Sequence, residues 1–296
     1  MTTVLADRKS GAGARTGRVR SGVSVLIMTF NEEQNLPACL ASVDWSDDVV
    51  VLDSFSTDRT VEIARAAGAR VVQHHYTTEN GQRMFGLTQI PFLNEWVYTP
   101  DADEVTPDDL RDEMLAIAAD PNRPEAFFKA RYKNMFMGRW IKHASLYPTW
   151  ITRLVRPAKV RFDREVHSVC ASDQPGGLLN AHFVHYSFNN GLRAWFDKHN
   201  RYSSVEAELA TETPAPPLQW ASIISPRADK RRGALKALSV RLPFRPTLRF
   251  LYMYVLRGGF LDGWPGYAYC RLISGYEFMI GLKTEELRRR RQGLRI

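Results

Sequence analysis

From Val23 onward the chain alternates short apolar runs with polar turns and stretches of helical periodicity. Residues 23–28 (Val-Ser-Val-Leu-Ile-Met) are β-branched and apolar and read as a strand. Asn31 is placed to start a helix whose apolar face continues through Leu36, Leu40 and Val43. A second buried strand follows at residues 48–52. Thr57 or Asp58 then caps a helix with Val61, Ile63, Ala64 and Ala67 inward, which Gly68 ends. Residues 70–73 give a third strand, and residues 95–98 a fourth that runs straight into Asp101-Ala-Asp103-Glu104. This alternation predicts an α/β fold with a mostly parallel sheet, right-handed crossovers and a ligand site at the carboxyl ends of the strands.

Past about residue 120 the periodicity blurs. Residues 127–132, 160–162 and 178–186 read as strands, and residues 192–212 as an amphipathic helix. Thr213-Pro-Ala-Pro-Pro217 then breaks the chain and marks a linker. The expected organisation is therefore a disordered basic leader (1–22), an α/β domain (23–212, dividing near residue 120) and a helical basic region (213–296). No internal repeat is visible.

Composition narrows the class. At 296 residues with 44% hydrophobic content, the chain buries a full core and needs no disulfide or metal staple. Cys39, Cys170 and Cys270 are far apart and lack C-x-x-C spacing, which fits reduced thiols in a cytosolic setting. The first 22 residues carry no apolar h-region, so export is not expected. No apolar run reaches the roughly 18 residues of a spanning helix; the nearest, residues 264–282, contains Arg271 and Glu277. The formal charge of +8 predicts anionic partners. Its distribution is uneven: acids concentrate at residues 44–58 and 101–120, bases at 227–257 and 288–291. In residues 230–242 and 248–257, Arg and Lys alternate with Leu, Phe and Tyr, as in helices lying on an anionic membrane surface. The same residues also suit helices packed on the first domain. Nucleic acid is disfavoured, because the apolar share is high and no binding motif is present.

The chemistry-bearing residues sit at strand ends. On an extended segment Asp101 and Asp103 point the same way, so they can share one hard divalent cation, Mg²⁺ or Mn²⁺, which in turn recruits substrate phosphates. The competing reading is an acidic turn before a helix capped at Thr106-Pro107. The loops Thr29-Phe-Asn31-Glu32-Glu33 and Asp53-Ser-Phe-Ser-Thr-Asp58 each follow a strand and can receive a base and a ribose. Asn31 and Asp58 are equally good helix caps, whereas Asp53 ends a strand and is not placed as one. Arg83, taken alone, reads as a surface arginine.

In order and spacing, residues 25–33, Val50-Val-Leu-Asp-Ser-Phe-Ser-Thr-Asp-Arg-Thr60, Gln82-Arg83 and residues 96–104 resemble the nucleotide-sugar half of family 2 glycosyltransferases. The resemblance covers about residues 22–120 and implies a GT-A fold, Rossmann-like in its nucleotide-sugar domain. It also implies nucleoside contacts from Thr29, Asn31, Glu32 and Asp53, base or diphosphate contacts from Arg83, and a metal-bridged diphosphate on Asp101 and Asp103. Residues 131–143, 147–156 and Glu165-Val-His167, with Arg257-Gly-Gly-Phe-Leu-Asp-Gly-Trp264, are similar to the subgroup containing lipopolysaccharide core β-1,4-glucosyltransferases. Where that subgroup commonly has Val-His-Glu, this chain has Val166-His167-Ser168.

The activity so implied is inverting transfer of a hexose, glucose by family weighting, from a UDP-sugar to a lipid-linked or lipopolysaccharide-core glycan at the cytoplasmic face of a bacterial plasma membrane. A general base is needed for the acceptor hydroxyl. Asp163 and Glu165 are the candidates, with His167 as an acceptor-orienting group; each also reads as an ordinary loop residue. Trp140, Tyr147 and Trp150 suit sugar stacking, but core packing is the commoner use of aromatics. Two rivals remain at this stage. A nucleotidyltransferase would carry a Gly-rich basic loop after the first strand, where this chain is acidic. A non-catalytic membrane scaffold would not require intact Asp53, Arg83, Asp101 and Asp103.

Overall fold

The computed structural model describes residues 21–163, 169–212, 220–239 and 244–296. The expected leader falls almost wholly outside the described residues, as do Glu165, His167 and the Thr213–Pro217 break. Contacts divide the chain into two compact units: the described residues up to Met135 with Tyr147–Asn190, and Phe136–Leu146 with everything from Gly191 onward.

The first unit begins β1 (Val23–Thr29), α1 (Leu36–Ser42), β2 (Val49–Asp53), α2 (Thr60–Ala66), β3 (Arg70–Gln73), α3 (Glu79–Gln89) and β4 (Trp96–Tyr98). β5 (Glu104–Val105), α4 (Asp108–Ala118) and β6 (Phe127–Phe136) follow; β7 (Arg139–Trp140), next in the chain, belongs to the second unit. β8 (Trp150–Val155), β9 (Arg161–Asp163), β10 (Val169–Ala171) and β11 (Gly176–His185) complete the strands. The main sheet runs in the order β3-β2-β1-β4-β8-β6-β11-β5. β3, β2, β1 and β4 are parallel, as is β6 with β11; β8 is antiparallel to both β4 and β6.

β1 is mostly apolar because both of its faces are covered, with Ser24 and Thr29 its only polar residues. Val23, Val25 and Ile27 pack into one core with Leu36 and Cys39 of α1 and Leu110 and Met114 of α4. Leu26 belongs to the opposite core, with Val50, Leu52 and Leu87. The three cysteines are free thiols, two of them buried.

Several elements depart from the sequence expectation, and α3 is one that was not anticipated. Asn31 starts no helix: its φ of 56° is left-handed, and α1 begins after Asn35. β8 was not anticipated, because its buried Arg153 interrupts an otherwise strand-like Trp-Ile-Thr-Arg-Leu-Val run.

The second unit consists of the segment Phe136–Leu146 with α5 (Gly191–Glu212), α6 (Trp220–Ile223), α7 (Ala228–Ser239), α8 (Arg245–Leu251) and α9 (Gly263–Arg291). The expected boundary lay at residue 213, but α5 groups with the helices that follow. Lys283 of α9 donates to the Asn200 carbonyl (2.6 Å) and to Ser204 Oγ (2.8 Å), and Trp195 and His199 stack at 3.7 Å on α5. α8 is joined to α9 by Ser274 Oγ donating to the Pro246 carbonyl (2.8 Å) and by the Arg245–Glu277 pair (2.8 Å). Among the described residues no helix is long and apolar enough to cross a membrane.

Candidate active site

Strand register aligns the first group of site residues. Thr29 ends β1 opposite Asp53 at the end of β2, and Asp53 lies opposite Gln73 at the end of β3. The Asp53 carboxylate is fully buried. It accepts from Thr29 Oγ1 (3.1 Å), Gln73 Nε2 (3.0 Å), the Ser56 N–H (3.0 Å) and the Ser56 hydroxyl. Four donors satisfy a buried carboxylate. Asp53 therefore fixes the strand-end loops, and it faces Thr29 rather than solvent.

The two loops are stitched together by their own side chains. The Asn31 N–H donates to Ser56 Oγ (2.9 Å), and Asn31 Oδ1 accepts from the Thr57 N–H (2.8 Å). The Glu32 N–H donates to Thr60 Oγ1 (2.8 Å), and the Glu32 carboxylate accepts from the amides of Asn35 (2.7 Å) and Asn190 (3.2 Å). Asn31 and Phe55 both hold left-handed backbones. Asn tolerates that conformation; for Phe it costs of order 1 kcal/mol. The Phe55 ring is partly exposed and stacks on His75 with centroids 4.1 Å apart.

Beside this row, a bridge between Met28 and Asp101 brings the acidic motif to the same end of the sheet. Residues 101–104 form a tight turn, closed by the Glu104 N–H donating to the Asp101 carbonyl (3.0 Å) and the Asp101 N–H donating to the Glu104 carboxylate (3.1 Å). This corrects the expected extended geometry. The turn exists because Glu104 points inward, where Arg153 of β8, itself buried, donates to both Asp101 and Glu104. Asp103 stays a quarter exposed, its Oδ2 lying 3.2 Å from Nε2 of His185 at the end of β11.

The charges are unequal. Burial, together with the nearby Asp101 and Asp103, pushes Glu104 up to about 8 against the pull of Arg153. Burial would also raise Asp101, but Arg153, Arg83 and His185 outweigh it and hold that carboxyl at about 2. His185 is disfavoured as a cation by its burial, yet its hydrogen bond and charge contact with Asp103 raise it above the usual imidazole value.

Arg83 is no surface arginine. It is buried in α3, its guanidinium 5.3 Å from the Phe162 ring and paired with Glu79 (3.3 Å); among the described residues its Nε has no hydrogen-bond partner. An orphaned buried donor is costly, and an anionic oxygen would satisfy it. Asp163 directly follows Phe162 but is exposed, with Arg161 Nε 3.9 Å away. Glu165 and His167 lie outside the described residues.

Sequence reasoning missed Gln73, Ser56, Arg153 and His185. The available signal for Arg153 was a charge inside an apolar strand, which is rarely buried without a partner. Among the described residues, no group of three or more His, Cys, Asp or Glu could hold a metal by itself. Asp101 and Asp103 offer hard oxygen donors at a partly exposed position, which suits a cation that takes its remaining ligands from phosphate and water. The residues therefore fit Mg²⁺ or Mn²⁺ bound together with a substrate.

Residues 24–181 match the model of glycosyl transferase family 2. A glycosyltransferase of Rickettsia bellii is 36% identical over 278 residues, covering 90% of this chain and 86% of that one. The chain belongs to glycosyltransferase family 2, and its α/β sheet is of the GT-A type. The lipopolysaccharide core biosynthesis glycosyltransferase LpsC of Rhizobium meliloti is 23% identical over 269 residues, covering 88% of this chain and 91% of that one. Glucosyl-3-phosphoglycerate synthase from Mycobacterium tuberculosis, solved with Mn²⁺, UDP and glucosyl-3-phosphoglycerate, aligns with a TM-score of 0.32 at 23% identity. That alignment spans 37% of this chain and less than half (43%) of the other.

Proposed function

We propose that this glycosyltransferase is a metal-dependent, inverting hexosyltransferase that moves a sugar, glucose by preference, from a UDP-sugar to a glycan or glycolipid of the cell surface. The observation that carries the reading is the braced acidic turn. Asp101 and Asp103 stand at the strand ends, with Arg153 and His185 behind them and the unpartnered Arg83 Nε in the same electrostatic neighbourhood. The relation to LpsC supports a lipopolysaccharide-core or lipid-linked acceptor. A peripheral position at the inner face of a bacterial plasma membrane belongs to the same proposal.

Asp101 and Asp103 would hold the cation, and His185 would fix one oxygen of Asp103. When bound, Mg²⁺ or Mn²⁺ supplies positive charge against the departing nucleoside diphosphate. The protein's own groups do the rest. Arg83 offers its free N–H to a diphosphate oxygen, and the Asp53 network holds the loops of Thr29, Asn31 and Glu32 in the shape that receives the nucleoside. The acceptor hydroxyl attacks the anomeric carbon as its bond to the diphosphate breaks, so an α-linked donor gives a β-glycoside. Asp163 or Glu165 takes the hydroxyl proton, with His167 orienting the acceptor.

The test is binding and slow hydrolysis of UDP-, GDP- and dTDP-sugars by the purified protein, with Mn²⁺ and with EDTA. Preference for one UDP-hexose, lost in EDTA and in Asp103→Asn, is the expected result. Equal binding of a donor in EDTA would overturn the metal assignment, and a preference for GDP- or dTDP-sugars would overturn the donor assignment.

A further inference from the structure

We propose that the helical unit carries a rigid docking wedge for an anionic lipid bilayer, made by the elbow at residues 255–264 together with the hairpin tip at residues 137–139. The sequence had pointed to the basic runs at residues 230–242 and 248–257, the second of which enters the elbow. Five large apolar side chains of the elbow, Val255, Leu256, Phe260, Leu261 and Trp264, face solvent, with Leu256 78% and Trp264 67% exposed, and Met137 is exposed as well. Clustered apolar exposure of this kind on a soluble protein marks an interaction surface.

The exposure does not come from a loose segment. Asp262 is buried in the elbow and accepts from the backbone N–H groups of His143 (2.8 Å) and Ala144 (2.7 Å), with His143 Nδ1 2.8 Å away. Gly258 and Gly263 take left-handed backbones at φ of 75° and 69°, which a side chain would strain. Gly259 packs so closely that a Cβ there would lie 2.8 Å from the Met253 carbonyl oxygen. The fold thus holds these apolar groups outward, and inserting them orders little that is not already ordered.

Charge selects the occupant. From residue 244 to residue 276 Asp262 is the sole acid, and it is buried and satisfied by its own hairpin. The cations beside the wedge are exposed. Arg257 directly follows Leu256, and Arg139 donates to the Leu261 carbonyl (3.2 Å) beside Gly263. Trp264, stacked on Tyr267 with centroids 5.4 Å apart, adds the amphipathic aromatic character favoured at a lipid–water boundary. Apolar side chains beside two exposed arginines, with no exposed acid in residues 244–276, match an anionic headgroup layer over hydrocarbon.

This extends the membrane placement proposed above and is independent of the donor chemistry, so the two are read separately. The full-length protein is sedimented with vesicles of phosphatidylcholine alone and with about a third phosphatidylglycerol, at low and high salt. UDP-sugar binding and circular dichroism are recorded on the same samples. Expected are binding to the anionic vesicles that weakens with salt, and a loss of about tenfold or more in Leu256→Glu/Phe260→Glu with donor binding unchanged. Leu256→Ser, a milder change, should show a smaller loss in the same direction. The wedge is refuted if the double variant, folded by dichroism, binds vesicles as the parent does. It is equally refuted if the parent ignores anionic vesicles, or if the variant abolishes only a concentration-dependent self-association.

Discussion

In the sheet-bearing unit the charges are inside and partnered: Arg153 lies buried between Asp101 and Glu104, and Asp53 is enclosed by four donors. In the helical unit the apolar groups are outside, with Leu256, Phe260 and Trp264 in solvent beside Arg257 and Arg139. The first arrangement suits a site that must hold fixed charge against a mobile ligand, because buried dipoles and ions act in a low dielectric and need no rearrangement. The second suits adhesion to a surface, where apolar area is useful only while it is uncovered. Under the two proposals, the chemistry belongs to one unit and attachment to the other.

The largest effect that would break this contrast is expected at Arg153. Arg153→Met leaves the buried Glu104 and the partly exposed Asp101 without their shared donor, so urea unfolding should show about 3 kcal/mol lost; an unchanged midpoint would mean that Arg153 does not hold the turn. Next comes Asp103→Asn, which should lower donor turnover by about 10³-fold with the thermal midpoint essentially unchanged. Arg83→Leu should raise the donor KM by about 10- to 100-fold, the equivalent of about 1.5–3 kcal/mol for a hydrogen bond to a charged group; effects on an uncharged nucleoside should be small.

The smallest effect is expected at Asp58, whose carboxylate accepts from the N–H (3.0 Å) and hydroxyl of Thr60 and from the Glu33 N–H (3.2 Å). Partial burial opposes its charge, yet these bonds hold its pKa below the usual value. A depressed folded-state pKa stabilises above the unfolded value and ceases to do so as pH falls through the folded one. Asp58→Ala should therefore cost about 1 kcal/mol at neutral pH, with the difference from the parent shrinking in acid below about pH 4.

The parallel core was legible because strands covered on both faces are continuously apolar, as in β1 and β2, and because a strand's last residue is fixed in register by its neighbours. Asp53 was read as a strand end that way, and the register sets it opposite Thr29. The helix expected at Asn31 misread a residue that bonds across to the next loop through Ser56 and Thr57. The base candidates Glu165 and His167 stand outside the described residues, and Asp163 is an exposed neighbour of Phe162.

By itself the sequence determined the parallel strands β1 to β4, the family, and which carboxylates end the strands, all of which depend on local periodicity and short motifs. Tertiary structure decided what those carboxylates do. Inserting β8 antiparallel between β4 and β6 places Arg153 beside the acidic turn, turns Glu104 inward as its hydrogen-bond partner and leaves Asp103 a quarter exposed beside His185. It also decided that apolar residues after Tyr254 stand exposed, in an elbow where Asp262 clamps the distant hairpin at His143 and Ala144. Such pairings join residues far apart in the chain, and they depend on burial and charge balance, which no local spacing encodes.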